Sequence, residues 1–141
     1  MKDTATLATV AAIIAAFGTS MLFFRIQREL SLAKEGEINW IPYSDWLLIF
    51  ATVMSLLLVI LPIIVSQVTP VTNTFYLKLP NAACGSIIIV VTGYIFGILA
   101  HYRLIFGKYR SGPRYNPEPA EKAIVLIAAF LALSIFIFLI I

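Results

Sequence analysis

The sequence is poor in the residues from which catalytic, redox and metal sites are built. Its 141 residues include one histidine, His101, and one cysteine, Cys84. One histidine cannot form a bis-histidine haem site or a multi-histidine metal site, and one cysteine permits neither an intrachain disulfide nor an iron–sulfur cluster. No paired-carboxylate, Ser/His/Asp, Walker or metal-ligand spacing occurs. We therefore expect no enzyme activity, no metal and no cofactor.

Charge is also scarce, and apolar residues are in excess. Charged residues make up 12% of the chain and hydrophobic residues 61%, against typical values of about 25% and about 45–50% in soluble proteins. A small soluble domain has too much surface to hide that apolar content, and disordered chains lack it. The composition therefore predicts an integral membrane protein with a single membrane domain covering 1–141.

Four long apolar runs give the architecture. Each has about 19–20 residues, which as a helix spans about 30 Å, the thickness of the hydrocarbon core, and none contains Lys, Arg, Asp or Glu. We predict an all-α, four-transmembrane-helix bundle with spans at about 5–24, 46–65, 82–100 and 123–141. The connections are then 25–45, 66–81 and 101–122.

The basic residues predict the orientation. Connections 25–45 and 101–122 lie on one side and contain eight Lys and Arg residues, whereas the opposite side has Lys2 and Lys78. Because cytoplasmic loops carry the excess of positive charge, we expect both connections in the cytoplasm and both termini outside. The net charge of +3 then reflects topology and contacts with lipid head groups, not nucleic acid. The absence of any Asn-x-Ser/Thr triplet is compatible with a bacterial inner membrane.

The connections contain local helix signals. Good helix formers from Arg25 to Lys34 predict a cytoplasmic extension of helix 1 that stops near Gly36. Ser44 or Asp45 is expected to cap helix 2. The outer connection 66–81 is interrupted by prolines, and we expect it to lie along the membrane interface.

Small residues recur at helical spacing on two of the predicted helices. Ala8, Ala12, Ala16 and Ser20 follow one another at intervals of four on helix 1, and Gly93 and Gly97 do the same on helix 3. In lipid, small residues allow helices to approach closely. Both stripes either pack the bundle internally or form a contact surface between subunits, and the sequence leaves the two alternatives open.

Interfacial and titratable residues complete the candidates. Contacts with lipid head groups or a partner are expected from Arg103, Lys108, Arg110, Arg114, Trp40 and Trp46. His101 is interpreted as an interfacial histidine and Cys84 as a small buried packing residue. A solvated, mixed-charge helix face is expected from Asp45, Glu29, Glu35 and Glu37.

These observations favour a non-enzymatic membrane protein that acts by assembly, as a homo-oligomer or as a small subunit of a larger membrane complex. Its expected partners are membrane lipids and other membrane subunits. An oligomeric pore is the first alternative, with a lining of hydroxyl side chains on helix 1: Thr4, Thr6, Thr9, Thr19 and Ser20. The second alternative is an enzyme that modifies lipid head groups through His101.

Overall fold

The computed structural model describes residues 4–35, 42–69, 72–102 and 118–141, and these ranges are helical throughout except at their ends. The α-helices are α1 Thr4–Glu35, α2 Ser44–Met54, α3 Leu61–Val68, α4 Thr74–His101 and α5 Glu118–Ile140. A π-helical segment, Ser55–Ile60, joins α2 to α3. Together these three segments form one continuous rod, Ser44–Val68, which we call the second rod.

α1, the second rod, α4 and α5 are each long and apolar enough to cross a membrane. The prediction of an all-helical chain with four membrane-length helices is therefore confirmed for the described residues. The continuation of helix 1 beyond its apolar run is also present, because α1 extends to Glu35. The expected stop at Gly36 lies outside the described residues.

The start of α4 differs from the expected one. The helix begins at Thr74 instead of near Ala82, so its first turns take in residues that the sequence places in the outer connection. Asn73 stabilises this start, since its side-chain oxygen accepts a hydrogen bond of 2.9 Å from the N–H of Phe75. Pro80 lies inside the helix, where it has no N–H to donate to the carbonyl of Tyr76 one turn earlier, and the helix continues past this one missing hydrogen bond.

The π-helical segment coincides with a proline in the second rod. Leu61 donates its N–H to the carbonyl of Leu56, five residues earlier, and Pro62 follows in the first turn of α3. Because proline has no N–H to donate, regular α-helical bonding is interrupted at this point. The rod continues through the interruption and ends at Val68.

The core lies around α4, which contacts α1, the second rod and α5. Small and medium-sized side chains dominate it, including Ala11, Leu48, Ala51, Val59, Ile87, Val90 and Ala128. Ser86 adds a buried hydrogen bond between helices, since its hydroxyl donates to the carbonyl of Ala132 on α5 at 2.9 Å. The bundle is therefore held by close helix packing, the mode that lipid favours.

The two ends of the bundle differ in chemistry. At one end, the Lys78 ammonium donates to the main-chain oxygen of Ile141 at 2.6 Å, a contact that suits the negative end of the α5 dipole. The other end, which we call the polar end, is where α4 finishes and the second rod and α5 begin, and α1 passes it at Arg25 before ending at Glu35. It contains most of the buried charge.

Candidate functional site

The polar end holds a cluster of polar side chains that come from all four membrane-length helices. We call it the polar cluster, and its members are Arg25, Ser44, Asp45, His101, Tyr102 and Glu121. Five of them lie within about a turn of the end of their helix, whereas Arg25 lies on α1 ten residues before that helix ends at Glu35, directly after its apolar run. Alternating up-and-down helices bring these ends together, so the cluster is a consequence of the topology.

Glu121 has no exposed surface, and neither has Ser44. One carboxylate oxygen accepts hydrogen bonds from both the N–H and the hydroxyl of Ser44, each at 2.6 Å, and the other lies 2.8 Å from Nδ1 of His101. The Ser44 N–H belongs to the first turn of α2, where the helix itself offers no acceptor. Glu121 therefore caps α2 from a neighbouring helix, and its negative charge suits the α2 dipole.

Arg25 and Asp45 form a second buried contact. The Nε of Arg25 lies 3.1 Å from both carboxylate oxygens of Asp45, and the two side chains are 9% and 14% exposed. Arg25 also donates to the hydroxyl of Tyr102 at 2.6 Å. Arg28 contacts the same hydroxyl, and its guanidinium carbon lies 4.6 Å from the centre of the Tyr102 ring. This contact ties α1 to the second rod and to the end of α4.

Not every buried polar atom near the cluster has a hydrogen-bond partner within the described ranges. Three buried atoms have no hydrogen-bond partner there: Nη2 of Arg25, one carboxylate oxygen of Glu29 and the hydroxyl of Tyr94. They lie on α1 and α4, and both helices contribute side chains to the polar cluster. Unpaired buried polar atoms are costly, so these three mark the least satisfied part of the bundle.

Two glycines of α4 make the close packing around the cluster possible. A Cβ atom added to Gly97 would lie 2.7 Å from Cβ of Ser44, and one added to Gly93 would collide with Cβ of Ala128 on α5. Gly97 therefore gives Ser44 the space in which it reaches Glu121. The stripe formed by these glycines packs within the chain.

The polar cluster does not have the order of a nucleophilic triad. In such a triad the histidine lies between the serine and the acid, whereas here Glu121 lies between Ser44 and His101. Among the described residues no group of three or more His, Cys, Asp and Glu side chains could hold a metal ion. The polar cluster connects the four helices through ion pairs and charge-assisted hydrogen bonds.

The other predicted contact residues are distributed differently. On α1, Ala8 is half-buried, whereas Ala12, Ala16 and Ser20 are exposed. Trp46 is 66% exposed at the polar end. The remaining predicted contacts lie outside the described residues: Trp40, Arg103, Lys108, Arg110 and Arg114.

The sequence interpretation missed most of the polar cluster. Asp45 is not part of a solvated helix face, because it is paired with Arg25 and largely buried. The expected side-chain cap of α2 by Ser44 or Asp45 is also wrong, since Tyr43 is the capping residue and makes no side-chain hydrogen bond to the helix. Cys84 is buried, as predicted.

A usable signal for the cluster was present in the sequence. Arg25 follows the first apolar run, Asp45 precedes the second, His101 follows the third and Glu121 precedes the fourth. In an up-and-down bundle these four positions fall at the same end. Opposite charges at such positions favour contacts between the helix ends.

The fold and the cluster together define an all-helical chain with four membrane-length helices, consistent with an integral membrane protein. The chain matches no protein-family model and has no significant match among curated proteins or solved structures.

Proposed function

We propose that this chain is a non-enzymatic integral membrane protein that acts by assembly, with copies of itself or as a small subunit of a larger membrane complex. The observation that carries the proposal is the exposed small-residue face of α1, formed by Ala12, Ala16 and Ser20. We call it the α1 face. It lies away from the residues through which α1 packs on the second rod.

The inward side of α1 is already occupied. Ala11, Ala15 and Gly18 are buried, and a Cβ atom added to Gly18 would collide with the side chain of Thr52 on the second rod. α1 therefore has small residues on two sides, and the chain itself covers one of them. In lipid, small residues on the uncovered side favour the approach of another helix.

The exposed surface of α5 makes a useful contrast. Its outward side chains are bulky, and they include Leu126, Phe130 and Phe138, which are 70%, 70% and 76% exposed. Such a surface suits contact with lipid chains. The difference between the two helices supports α1 as the helix that meets a partner.

The proposed location is a bacterial inner membrane, with the polar end in the cytoplasm and both termini outside. The support for this orientation is the distribution of eight basic residues against two. The polar cluster then lies near the cytoplasmic head groups, where buried charges cost less than at the bilayer centre. Connections 25–45 and 101–122 are the proposed docking surfaces for soluble parts of a partner.

Disulfide cross-linking in membranes tests the assembly proposal. The background variant is Cys84→Ala, which removes the single native thiol. In that background Ala16→Cys on the α1 face should give a cross-linked dimer on mild oxidation, or a cross-linked product with another subunit. Phe130→Cys, at a position of α5 that is also exposed, is the matched control and should stay monomeric. Equal cross-linking at both positions, or none at Ala16→Cys, would contradict the proposal.

A pore remains the second candidate, because the α1 face also carries hydroxyl groups. Thr9 and Ser20 are exposed, and each donates its hydroxyl to the helix carbonyl four residues earlier, at 2.9 Å. Their oxygens can still accept hydrogen bonds from water in an oligomer. Planar-bilayer recording with purified protein separates the two functions, since an assembly subunit that forms no pore gives no current at any potential.

A further inference from the structure

An apolar groove runs along the outside of the bundle between the second rod and α5. Its volume is about 490 Å³, within the range of about 300–1,000 Å³ that is usual for ligand sites. Trp46, Phe50 and Leu58 line one side, and Ala129 and Leu133 line the other. Ala129 has only a methyl group, so it leaves space in the groove that a larger side chain would occupy.

The groove has the length of one bilayer leaflet. From Trp46 to Leu58 the second rod advances by roughly 18 Å at about 1.5 Å per residue, close to half of the roughly 30 Å hydrocarbon core. A partner helix that crosses the membrane would need a groove along the full thickness. A lipid acyl chain needs the length of a single leaflet, so the dimensions favour a lipid chain.

The lining is suited to hydrocarbon. The residues that line the groove offer two polar hydrogen-bond donors, the indole N–H of Trp46 at one end and the hydroxyl of Ser86, and the Ser86 hydroxyl is already bonded to the carbonyl of Ala132. An acyl chain along the groove therefore does not leave the Ser86 hydroxyl without a partner. The bound chain would also make van der Waals contacts with the apolar side chains of the groove.

The end of the groove at the polar end carries a cation. Lys122 lies two turns before Ala129 on α5, on the same face of the helix, and its ammonium lies 4.5 Å from the centre of the Tyr43 ring. Trp46, with an indole N–H donor, lies one turn after Tyr43. Lys122 and Trp46 therefore flank the position that a phosphate would take if its acyl chain filled the groove.

The same end also carries an anion. Glu118 lies one turn before Lys122 on α5. The end of the groove therefore presents both signs of charge. Such a pair suits a zwitterionic head group better than an anionic one, since the head group carries an ammonium in addition to its phosphate.

We propose that this groove binds one acyl chain of a phosphatidylethanolamine-type lipid, whose phosphate is held by Lys122 and Trp46. The proposal requires the chain to lie in a membrane, and it is independent of what the α1 face binds. The occupant belongs to the leaflet at the polar end.

Tryptophan quenching by a brominated lipid tests the proposal on the full chain in detergent micelles. The chain has two tryptophans, so Trp40→Phe leaves Trp46 as the single reporter at the groove. Phosphatidylethanolamine with dibrominated acyl chains should quench Trp46 in a saturable way, at about one lipid per chain. Quenching that rises without saturation would overturn the proposal.

Variants separate the groove from the rest of the surface. Ala129→Phe should fill the groove and abolish saturable quenching, whereas Ala123→Phe, another exposed position of α5 away from the groove, should not change it. Lys122→Gln should raise the half-saturating lipid concentration about tenfold, as expected for the loss of a charge-assisted hydrogen bond, and Lys122→Arg should restore binding. If Ala129→Phe and Ala123→Phe change the quenching to the same extent, the groove is not the binding site.

A lipid without phosphate tests the head-group contact. Dibrominated diacylglycerol should bind about tenfold more weakly than the phospholipid, and the Lys122→Gln variant should no longer distinguish the two. If the protein with its native Lys122 binds both lipids equally well, Lys122 does not hold the phosphate. Lys122 is exposed, so this arm does not depend on a substitution in the core.

Discussion

Replacing Gly97 by alanine should destabilise the bundle through the polar cluster. The new Cβ atom would lie 2.7 Å from Cβ of Ser44, whereas carbon atoms in contact prefer about 3.5–4.0 Å. Ser44 must therefore move by about 1 Å. Its two hydrogen bonds to Glu121 are 2.6 Å long, and such a shift takes them beyond the usual limit of about 3.2 Å.

The expected cost follows from two contributions. Overpacking of a tight contact costs about 1–3 kcal/mol, and a lost hydrogen bond to a charged group costs about 1.5–3 kcal/mol. We expect a loss of about 3 kcal/mol in the free energy of unfolding, or about a hundredfold in the unfolding equilibrium. The measurement is unfolding by increasing SDS in mixed micelles, followed by helical circular dichroism.

Gly85→Ala is the matched control on the same helix. Its added Cβ atom would approach Cδ1 of Leu139 at 2.8 Å, and the end of a leucine side chain can rotate away. Since alanine is a better helix former than glycine by about 0.5–1 kcal/mol, this variant should be neutral or slightly more stable. If Gly97→Ala and Gly85→Ala unfold alike, the close approach of Ser44 to α4 does not stabilise the bundle and our reasoning is wrong.

Three further predictions use other parts of the molecule. Arg25→Ala should lower the free energy of unfolding by about 3–5 kcal/mol because it leaves the Asp45 carboxylate buried and unpaired, and the double variant with Asp45→Ala should lose less than the sum of the single losses in the same unfolding assay. Ser86→Ala should cost only about 0.6 kcal/mol, the average for a hydrogen bond between membrane helices, and a loss above 3 kcal/mol would contradict this. A topology reporter fused after Ile141 should be active only in its external form and one near Gly36 only in its cytoplasmic form, so a cytoplasmic signal at Ile141 would reverse the orientation.

The length and spacing of the apolar runs were enough to predict the four helices. An apolar run long enough to cross the hydrocarbon core has to satisfy its backbone hydrogen bonds internally, and a helix does this without any partner segment. The residues at which the helices begin and end were harder to predict from the sequence. α4 starts at Thr74 because Asn73 caps it, and the helix continues past Pro80 although that residue has no N–H to donate, so a proline predicted to break the helix is accommodated inside it.

The roles of the small residues and of the charges depended on the tertiary structure. Gly93 and Gly97 pack inside the chain while Ala12 and Ala16 face outward, although both stripes have the same spacing in sequence. Spacing defines a face of a helix, but the rotation of that helix in the bundle decides what the face meets. Likewise, Glu121 becomes fully buried only because Ser44 and His101 arrive beside it from two other helices. Such a contact joins residues far apart in the chain, and no local pattern contains it.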